Sequence, residues 1–261
     1  MNEKSKKSVL ISGGAGKMGK LIIDYLSSQD NYKIIGIYDP GYNSDDYPSI
    51  TTFDDINPDY ILEFSPASAI NENIQKWSTL TSNLIIGSSG ISNESINLLK
   101  TLDHNRKVVV VPNFSIGAAY QKLLSIALSK DFENVHIIEK HHKNKQDAPS
   151  GTSSDLASSL SDVTSNKLDN HDGEHNNING INIYSERGEE FLAEQIVNFK
   201  SEHETFSLEH VVNDRSAYLY GISLVFDEIE NLSKFTLGLE TILAQKISIL
   251  SWKILDSYSL Q

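Results

Sequence analysis

The chain has 261 residues, no cysteine and a formal net charge of −13. This length favours one large α/β domain or two modest domains. The lack of cysteine excludes disulfides, thiolate zinc sites, iron–sulfur clusters and cysteine nucleophiles. The negative charge argues against a nucleic-acid partner, because phosphate contacts need a basic surface. No apolar run approaches the roughly 18 residues of a membrane span, and Met1 to Lys7 is polar, so we expect a cytoplasmic protein without a membrane partner.

Short apolar runs alternate with amphipathic segments in the first half of the chain. The runs predict strands at Val9–Ser12, Ile34–Tyr38, Tyr60–Phe64, Leu84–Ile86 and Val108–Val111. The segments between them predict helices at Met18–Ser28, Ala67–Leu80 and Ser92–Leu102. This alternation is typical of an α/β fold with a Rossmann-type, doubly wound parallel sheet, which we expect to end near Ser115.

The second half has a different pattern. We expect a helix at Ile116–Ser129, a strand at Val135–Glu139, a helix at Thr152–Leu160, strands at Ile196–Phe199 and Phe206–Val212, and a mostly helical tail at Arg215–Tyr258. Thr152 and Asp155 have capping-box spacing, and the polar stretch Ser161–Gly180 predicts an exposed loop. We therefore expect a dinucleotide-binding domain at 1–115 and 215–261. Residues 116–214 would form a second α+β domain with a mixed or antiparallel sheet, for substrate binding and oligomerisation.

A glycine-rich turn follows the first predicted strand. Gly14, Gly16 and Gly19 match the dinucleotide pattern G-x-G-x-x-G, with a strand before it and a helix after it. Such a turn lets the backbone approach a pyrophosphate and points free N–H groups at it. A triphosphate-binding loop is disfavoured, because Leu21 stands where a magnesium-binding hydroxyl is needed. A turn that serves packing alone stays open as the structural alternative.

Asp39 closes the second predicted strand, about twenty residues beyond the glycine turn, where an acid can bond the adenosine ribose. Pro40, Gly41 and Tyr42 offer no cation for a 2′-phosphate, so we expect NADH to be preferred. NADPH stays possible, because Lys17 or Lys20 could reach the phosphate. The alternative for Asp39 is a strand-ending turn residue without a ligand.

The segment Glu139–Thr152 concentrates histidine and lysine in an acidic protein. Ser150, Gly151 and Thr152 can present N–H groups and hydroxyls at a helix start, and Lys145 can add a full charge. These features predict a local site for an anion. A metal site is disfavoured, because the adjacent His141 and His142 diverge on a strand and no third ligand is evident.

Other interpretations of polar segments are weaker. A nucleic-acid patch at Glu139–Thr152 conflicts with the net charge, whereas a solvated loop stays open. The stretch His171–His175 fits the zinc-protease pattern H-x-x-E-H, which needs a helix. Gly173 among asparagines argues against a helix there, so we expect no metal in this protein.

Four motifs together resemble the dihydrodipicolinate reductase family, also called 4-hydroxy-tetrahydrodipicolinate reductase. They are Gly13-x-x-Gly16-x-Met18-Gly19, Gly87-Ser88-Ser89-Gly90, Pro112–Gly117, and Glu139-x-His141-His142-x-x-Lys145-x-Asp147–Thr152. The resemblance spans most of the chain in the same order, with Ser185-x-Arg187-Gly188 and Arg215–Gly221 near the end.

The resemblance implies roles for individual residues. His141 would be the general acid, with Lys145 as its cationic partner; the substrate carboxylates would be held by His142, Lys145, Ser150, Gly151 and Thr152. Gly87, Ser89 and Gly90 would meet the nicotinamide, and Asn113 and Phe114 would line the place of hydride transfer. The remaining cofactor residues would be Gly13, Gly14, Gly16, Lys17, Met18, Gly19 and Asp39.

The implied reaction is reduction of a cyclic imine dicarboxylate by NAD(P)H, which feeds diaminopimelate and lysine synthesis. The family assembles through the sheet of its substrate domain, so we expect a homotetramer, with a dimer as fallback. Val197, Phe199, Phe206, Leu208 and Val211 are the apolar side chains that we expect in the interface.

The chain departs from the family pattern at Tyr184, at Gly188-Glu189-Glu190 and at Ala193-Glu194-Gln195. Two alternative functions therefore stay open. One is a nucleotide-binding regulator that has lost turnover, and the other is a reductase of a different imine or carbonyl dicarboxylate.

Overall fold

The computed structural model describes residues 6–53, 56–102, 105–160 and 175–247. The elements in chain order are β1 (Lys7–Ser12), α1 (Lys17–Ser27), β2 (Tyr32–Tyr38), β3 (Tyr60–Glu63), α2 (Ile70–Ser78), β4 (Asn83–Ile86), α3 (Asn93–Thr101), β5 (Val108–Val110), α4 (Ile116–Leu128), β6 (Asn134–His142), α5 (Gly151–Leu160), β7 (Asn176–Ile178), β8 (Ile181–Gly188), β9 (Ala193–Lys200), β10 (Thr205–Val212), α6 (Ala217–Glu228) and β11 (Phe235–Leu237). Residues 239–247 are helical.

The chain divides into two compact units. The first unit runs to Phe114 and resumes at Leu219–Ile242, whereas the second covers Ser115–Tyr218 and continues from Leu243. Among the described residues, no helix is long and apolar enough to cross a membrane.

The first unit is built on a six-stranded sheet in the order β11-β5-β4-β3-β1-β2. All of its strand pairs are parallel. The strand order reverses between β1 and β3, and a ligand in such a fold binds outside the carboxyl ends of the strands at this switch point. The core is apolar, with Leu10, Ile61 and Trp77 fully buried.

The predicted strands and helices of this sheet are confirmed, and so is the α/β fold class with its second mixed sheet. The tail is mostly helical over its described residues, as predicted, but Phe235–Leu237 forms β11 and pairs with β5. Three residues are too few to show a period in the sequence, and the pairing joins positions more than a hundred residues apart.

The second unit has a five-stranded mixed sheet in the order β10-β9-β6-β8-β7. The pairing of β6 with β8 is parallel, and the other three pairings are antiparallel. One face of the sheet carries apolar side chains, such as Val135 and Ile137, that form one core with Leu156 of α5. The strand β6 is central and ends at His141 and His142.

Two predictions for the second unit need correction. The capping box at Thr152 was wrong: α5 begins at Gly151, and the Ser150 hydroxyl accepts the N–H of Ser153. The predicted loop Ser161–Gly180 lies mostly outside the described residues, but its end forms β7 and a turn with positive φ at Asn179 and Gly180. An Asn-Gly pair favours a two-residue hairpin, which here leads into β8.

The apolar side chains expected in a subunit interface are only partly available. Val197 and Phe199 are fully buried in the core of their own unit, and Leu208 packs against the same core. Phe206 and Val211 are 43% and 46% exposed on the edge strand β10. Side chains on a strand alternate between two faces, and Val197 and Phe199 belong to the inward face.

Candidate functional site

The glycine turn links the end of β1 to the start of α1. Gly13 has a φ of +82°, and its N–H donates to the carbonyl of Tyr38 on β2. A Cβ at Gly19 would lie 2.2 Å from the Gly13 carbonyl oxygen, so a side chain there is incompatible with the turn. Gly14, Gly16, Lys17 and Met18 belong to the same turn and the first residues of α1. The turn lies at the switch point of the sheet.

Asp39 anchors this turn through both carboxylate oxygens. Oδ2 accepts the N–H of Ala15 at 2.9 Å, and Oδ1 accepts the N–H of Gly41 at 2.7 Å. A carboxylate can accept about four hydrogen bonds, so ribose hydroxyls can still bond to it. Asp39 is half-buried beside the glycine turn.

The turn after β4 lies on the same edge of the sheet. Gly87 donates its N–H to the carbonyl of Glu63 at 2.9 Å, and Gly90 has a φ of +83°. Ser89 and Gly90 are exposed, whereas Ser88 is buried. The rings of Phe64 and Phe114 lie 5.5 Å apart, and a Cβ at Gly87 would lie 2.2 Å from the Phe64 ring. Asn113, next to Phe114, is half-buried on this edge.

These residues fit a dinucleotide. No side chain caps the start of α1, and no acidic residue occupies its first turn. An uncapped helix start carries free N–H groups and a partial positive charge, which favour a pyrophosphate. The glycines leave room for close approach, so the structure brings together the cofactor residues predicted at the ends of β1, β2, β4 and β5.

The second unit contains a buried carboxylate, Glu139 on β6, that accepts four hydrogen bonds. Its Oε2 receives the N–H of Ser150 at 2.9 Å and lies 2.8 Å from the Ser153 hydroxyl. Its Oε1 receives the Ser185 hydroxyl at 2.8 Å and Nη2 of Arg187 at 3.1 Å. Burial raises the pKa of the Glu139 carboxyl, but the hydrogen bonds outweigh burial and the pKa is lowered. Glu139 therefore carries its charge at neutral pH.

His141 lies two residues further along β6, on the same face as Glu139. Its Nδ1 is 3.8 Å from Glu139 Oε2, which is too long for a hydrogen bond but close enough for a strong charge interaction. Nδ1 is buried and has no hydrogen-bond partner among the described residues. Burial lowers the pKa of His141, the negative Glu139 opposes this effect, and Lys145 and Arg187 add to it.

Lys145 lies in the loop after β6, where its ammonium forms a bidentate pair with Asp147 at 2.7 and 2.8 Å. The predicted free cation is therefore compensated in this structure. Asp147 is the more exposed partner, with 56% of its side chain accessible against 23% for Lys145.

Since neighbouring residues on a strand point to opposite faces, His142 is directed away from Glu139. The structure places the charge of Lys145 near His141.

Ser150 directly precedes α5, and Gly151 and Thr152 are the first residues of that helix. Ser150 is buried and held by Glu139, while a Cβ at Gly151 would meet no atom within 4 Å. Open space beside a helix start fits the anion site predicted from the sequence. Among the described residues, no cluster of three or more potential metal ligands is present. The motif His171–His175 lies mostly outside the described residues.

Sequence reasoning gave no site role to several residues of this network. Arg187 bonds both Glu139 and the carbonyl of Asp147, and Ser153 also lies 2.6 Å from Gln195 Oε1. Gln195 in turn donates to Gln121 of α4. The only sequence signal for Arg187 was the family-like Ser-x-Arg-Gly, and contacts between five separate elements leave no periodic trace.

Fold and site together define a class. A Rossmann-type unit with a glycine turn of the dinucleotide type, in one chain with a unit that groups His141 and the start of α5 around the buried Glu139, is typical of nicotinamide-dependent oxidoreductases.

Comparison with known proteins is more specific. Residues 7–114 match the family model "Dihydrodipicolinate reductase, N-terminus", and residues 116–243 match "Dihydrodipicolinate reductase, C-terminus". The chain belongs to the dihydrodipicolinate reductase family.

Similar proteins cover about nine-tenths of the chain. A 4-hydroxy-tetrahydrodipicolinate reductase from Carboxydothermus hydrogenoformans is 30% identical, with 90% of this chain and 98% of that protein covered. One from Gloeothece citriformis is 29% identical over 93% of this chain and 100% of that protein. The dipicolinate-bound dihydrodipicolinate reductase from Paenisporosarcina sp. TG-14 superposes with a TM-score of 0.78 at 25% identity, covering 91% and 99% of the two chains.

Proposed function

We propose that this chain is an NAD(P)H-dependent 4-hydroxy-tetrahydrodipicolinate reductase in diaminopimelate and lysine synthesis. The observation that carries the proposal is the Glu139-held start of α5 beside His141 and Lys145, in a chain whose full-length relatives bear that name. Its substrate would be a cyclic imine dicarboxylate. The dipicolinate bound to the Paenisporosarcina protein is also a ring with two carboxylates, which supports this class of substrate.

The reaction consumes one hydride and one proton, releases water and yields tetrahydrodipicolinate. When bound, NAD(P)H supplies the hydride. The N–H groups of the α5 start and the charge of Lys145 hold the substrate carboxylates. Protonated His141 donates the proton, and Lys145 stabilises negative charge as it develops. Two substrate carboxylates near His141 would also favour its charged form, which offsets the effect of burial.

A coupled assay tests the proposed function directly. The substrate is made in situ by the synthase that precedes this step, and NADH loss is followed at about 340 nm. We expect NADH oxidation that depends on the synthase product. NADH binding without turnover would favour the regulator, and turnover of other dicarboxylates alone would favour a different reductase.

The cofactor preference is tested at Asp39. We expect Asp39→Ala to weaken NADH about tenfold or more and NADPH less, because the carboxylate that bonds the ribose hydroxyls also repels a 2′-phosphate. The affinities for NADH and NADPH should both fall, since the Ala15 and Gly41 N–H groups lose their acceptor. Dissociation constants from nucleotide fluorescence measure the two effects.

Asp24→Ala is the matched control, because it removes an equal charge from an exposed position on α1. It should leave both affinities unchanged. Equal losses for NADH and NADPH in Asp39→Ala would contradict the ribose assignment.

We also propose a homotetramer assembled through the second unit. The strand β10 is an edge of the five-stranded sheet and exposes Phe206 and Val211, and an unpaired apolar edge favours association. Light scattering should give about four times the 29.0 kDa chain mass at micromolar concentration. A mass near that of one chain would contradict the assembly.

A further inference from the structure

Glu139 is a buried charge that the proposed mechanism does not use. Its side chain is fully buried, and its hydrogen-bond donors are Ser150, Ser153, Ser185 and Arg187. Four donors from α5 and β8 converge on its two oxygens. Burying a carboxylate costs free energy unless it is paired and hydrogen-bonded, so such a group is retained for what it holds in place.

Two of its contacts lead to the site. The Ser150 N–H and the Ser153 hydroxyl both donate to Glu139 Oε2, and the two serine hydroxyls also lie within hydrogen-bond distance of each other, so the carboxylate fixes the first residues of α5. On its other side, Glu139 Oε2 lies 3.8 Å from Nδ1 of His141. One carboxylate therefore touches the anion-binding turn and faces the proton donor.

We propose that Glu139 is a positioning residue, which acts through Ser150 on the anion-binding turn and through its charge on the imidazolium of His141. Arg187 weakens the effect of this charge on His141, because its guanidinium bonds the other oxygen of the same carboxylate. This inference rests on the proposed function for its kinetic consequences. Its electrostatic part concerns the free protein and stands apart from turnover.

The groups that face His141 decide the sign of the effect. Glu139 on β6 and Asp147 in the following loop favour its charged form, whereas Lys145 in that loop and Arg187 on β8 oppose it. Removing the charge of Glu139 leaves two cations against one anion, so His141 will lose its proton at a lower pH. Removing Arg187 has the opposite effect, because an opposing cation disappears and Glu139 is no longer neutralised.

The experiment is an NMR titration of His141 in the free protein, with the resonance assigned from His141→Gln. In Glu139→Gln we expect the titration midpoint to fall by about 1 to 3 pH units, the range for an opposite charge a few ångströms away. In Arg187→Met we expect it to rise. The control Glu186→Gln removes an equal charge from an exposed position next to Arg187 and should leave the midpoint unchanged.

Kinetics separate the two roles of Glu139. In Glu139→Gln the fall of kcat at high pH should begin at a lower pH, together with the shift of the His141 titration midpoint measured by NMR. Glu139→Asp keeps the charge, but its side chain is too short to reach all four donors. We therefore expect KM to rise, while the fall of kcat at high pH stays near its wild-type position. A purely structural role would move neither this fall nor the midpoint.

Each outcome has one meaning. An unchanged His141 midpoint in Glu139→Gln, in a protein that still binds NADH, overturns the inference. If Glu139→Gln does not fold, the rise expected in Arg187→Met decides, and a fall or no change there overturns the inference. Midpoints that shift as expected in a protein without reductase turnover would overturn the proposed function while leaving the electrostatic role of Glu139 in place.

Discussion

His141→Gln is expected to lower kcat by about two to four orders of magnitude, which is the usual contribution of a general acid. Glutamine keeps much of the size of histidine but cannot deliver a proton by titrating near neutral pH. NADH affinity should stay unchanged, because the glycine turn and Asp39 belong to the first unit and His141 belongs to the second. Steady-state kinetics and nucleotide fluorescence on the same preparation measure both quantities.

The matched control is His203→Gln, since His203 is a highly exposed histidine of the same unit. It should behave like the wild type in both measurements. Full turnover in His141→Gln would remove His141 from the mechanism.

Wild-type kcat/KM is also expected to fall as the pH rises through the pKa of His141, because only the charged imidazole donates the proton. Burial lowers the pKa of His141 in the free protein, so the fall begins below the ordinary value for histidine. This profile should be absent in His141→Gln.

Lys145→Ala is expected to reduce kcat/KM by about a thousandfold. A charge-assisted contact to a substrate carboxylate contributes about 1.5–3 kcal/mol to binding, and a group that stabilises developing charge affects kcat as well. Both KM and kcat should therefore change, in contrast to His141→Gln, where the loss falls mainly on kcat. Steady-state kinetics with varied substrate separates the two.

The fold should tolerate this substitution. Asp147 loses its partner, but its side chain is more than half exposed and can be hydrated. The hydrogen bond from Lys145 holds the pKa of Asp147 below its usual value, so that pKa should rise toward normal in the variant. Lys143→Ala is the control, because Lys143 pairs with Glu189 on the surface. If Lys143→Ala shows the larger loss, the cationic role belongs to Lys143.

Local features of the sequence were sufficient to predict much of the fold. The parallel strands of the first unit are buried runs of β-branched residues, and the glycine turn carries its own spacing, so both are encoded within about ten consecutive residues. The segment from His141 to Thr152 is equally local: it joins the end of one strand to the start of one helix. For this reason the anion site was predicted together with its residues.

Only the tertiary structure decided which distant segments meet. Pairing of β6 with β8 brings Arg187 and Ser185 onto Glu139, and pairing of β5 with β11 adds a sixth strand from far along the chain. The inward orientation of Val197 and Phe199 follows from the register of β9 against β6. Residue type and spacing determine the local structure of a single segment. A buried charge such as Glu139 is stabilised only after four donors from separate segments of the chain have been assembled around it.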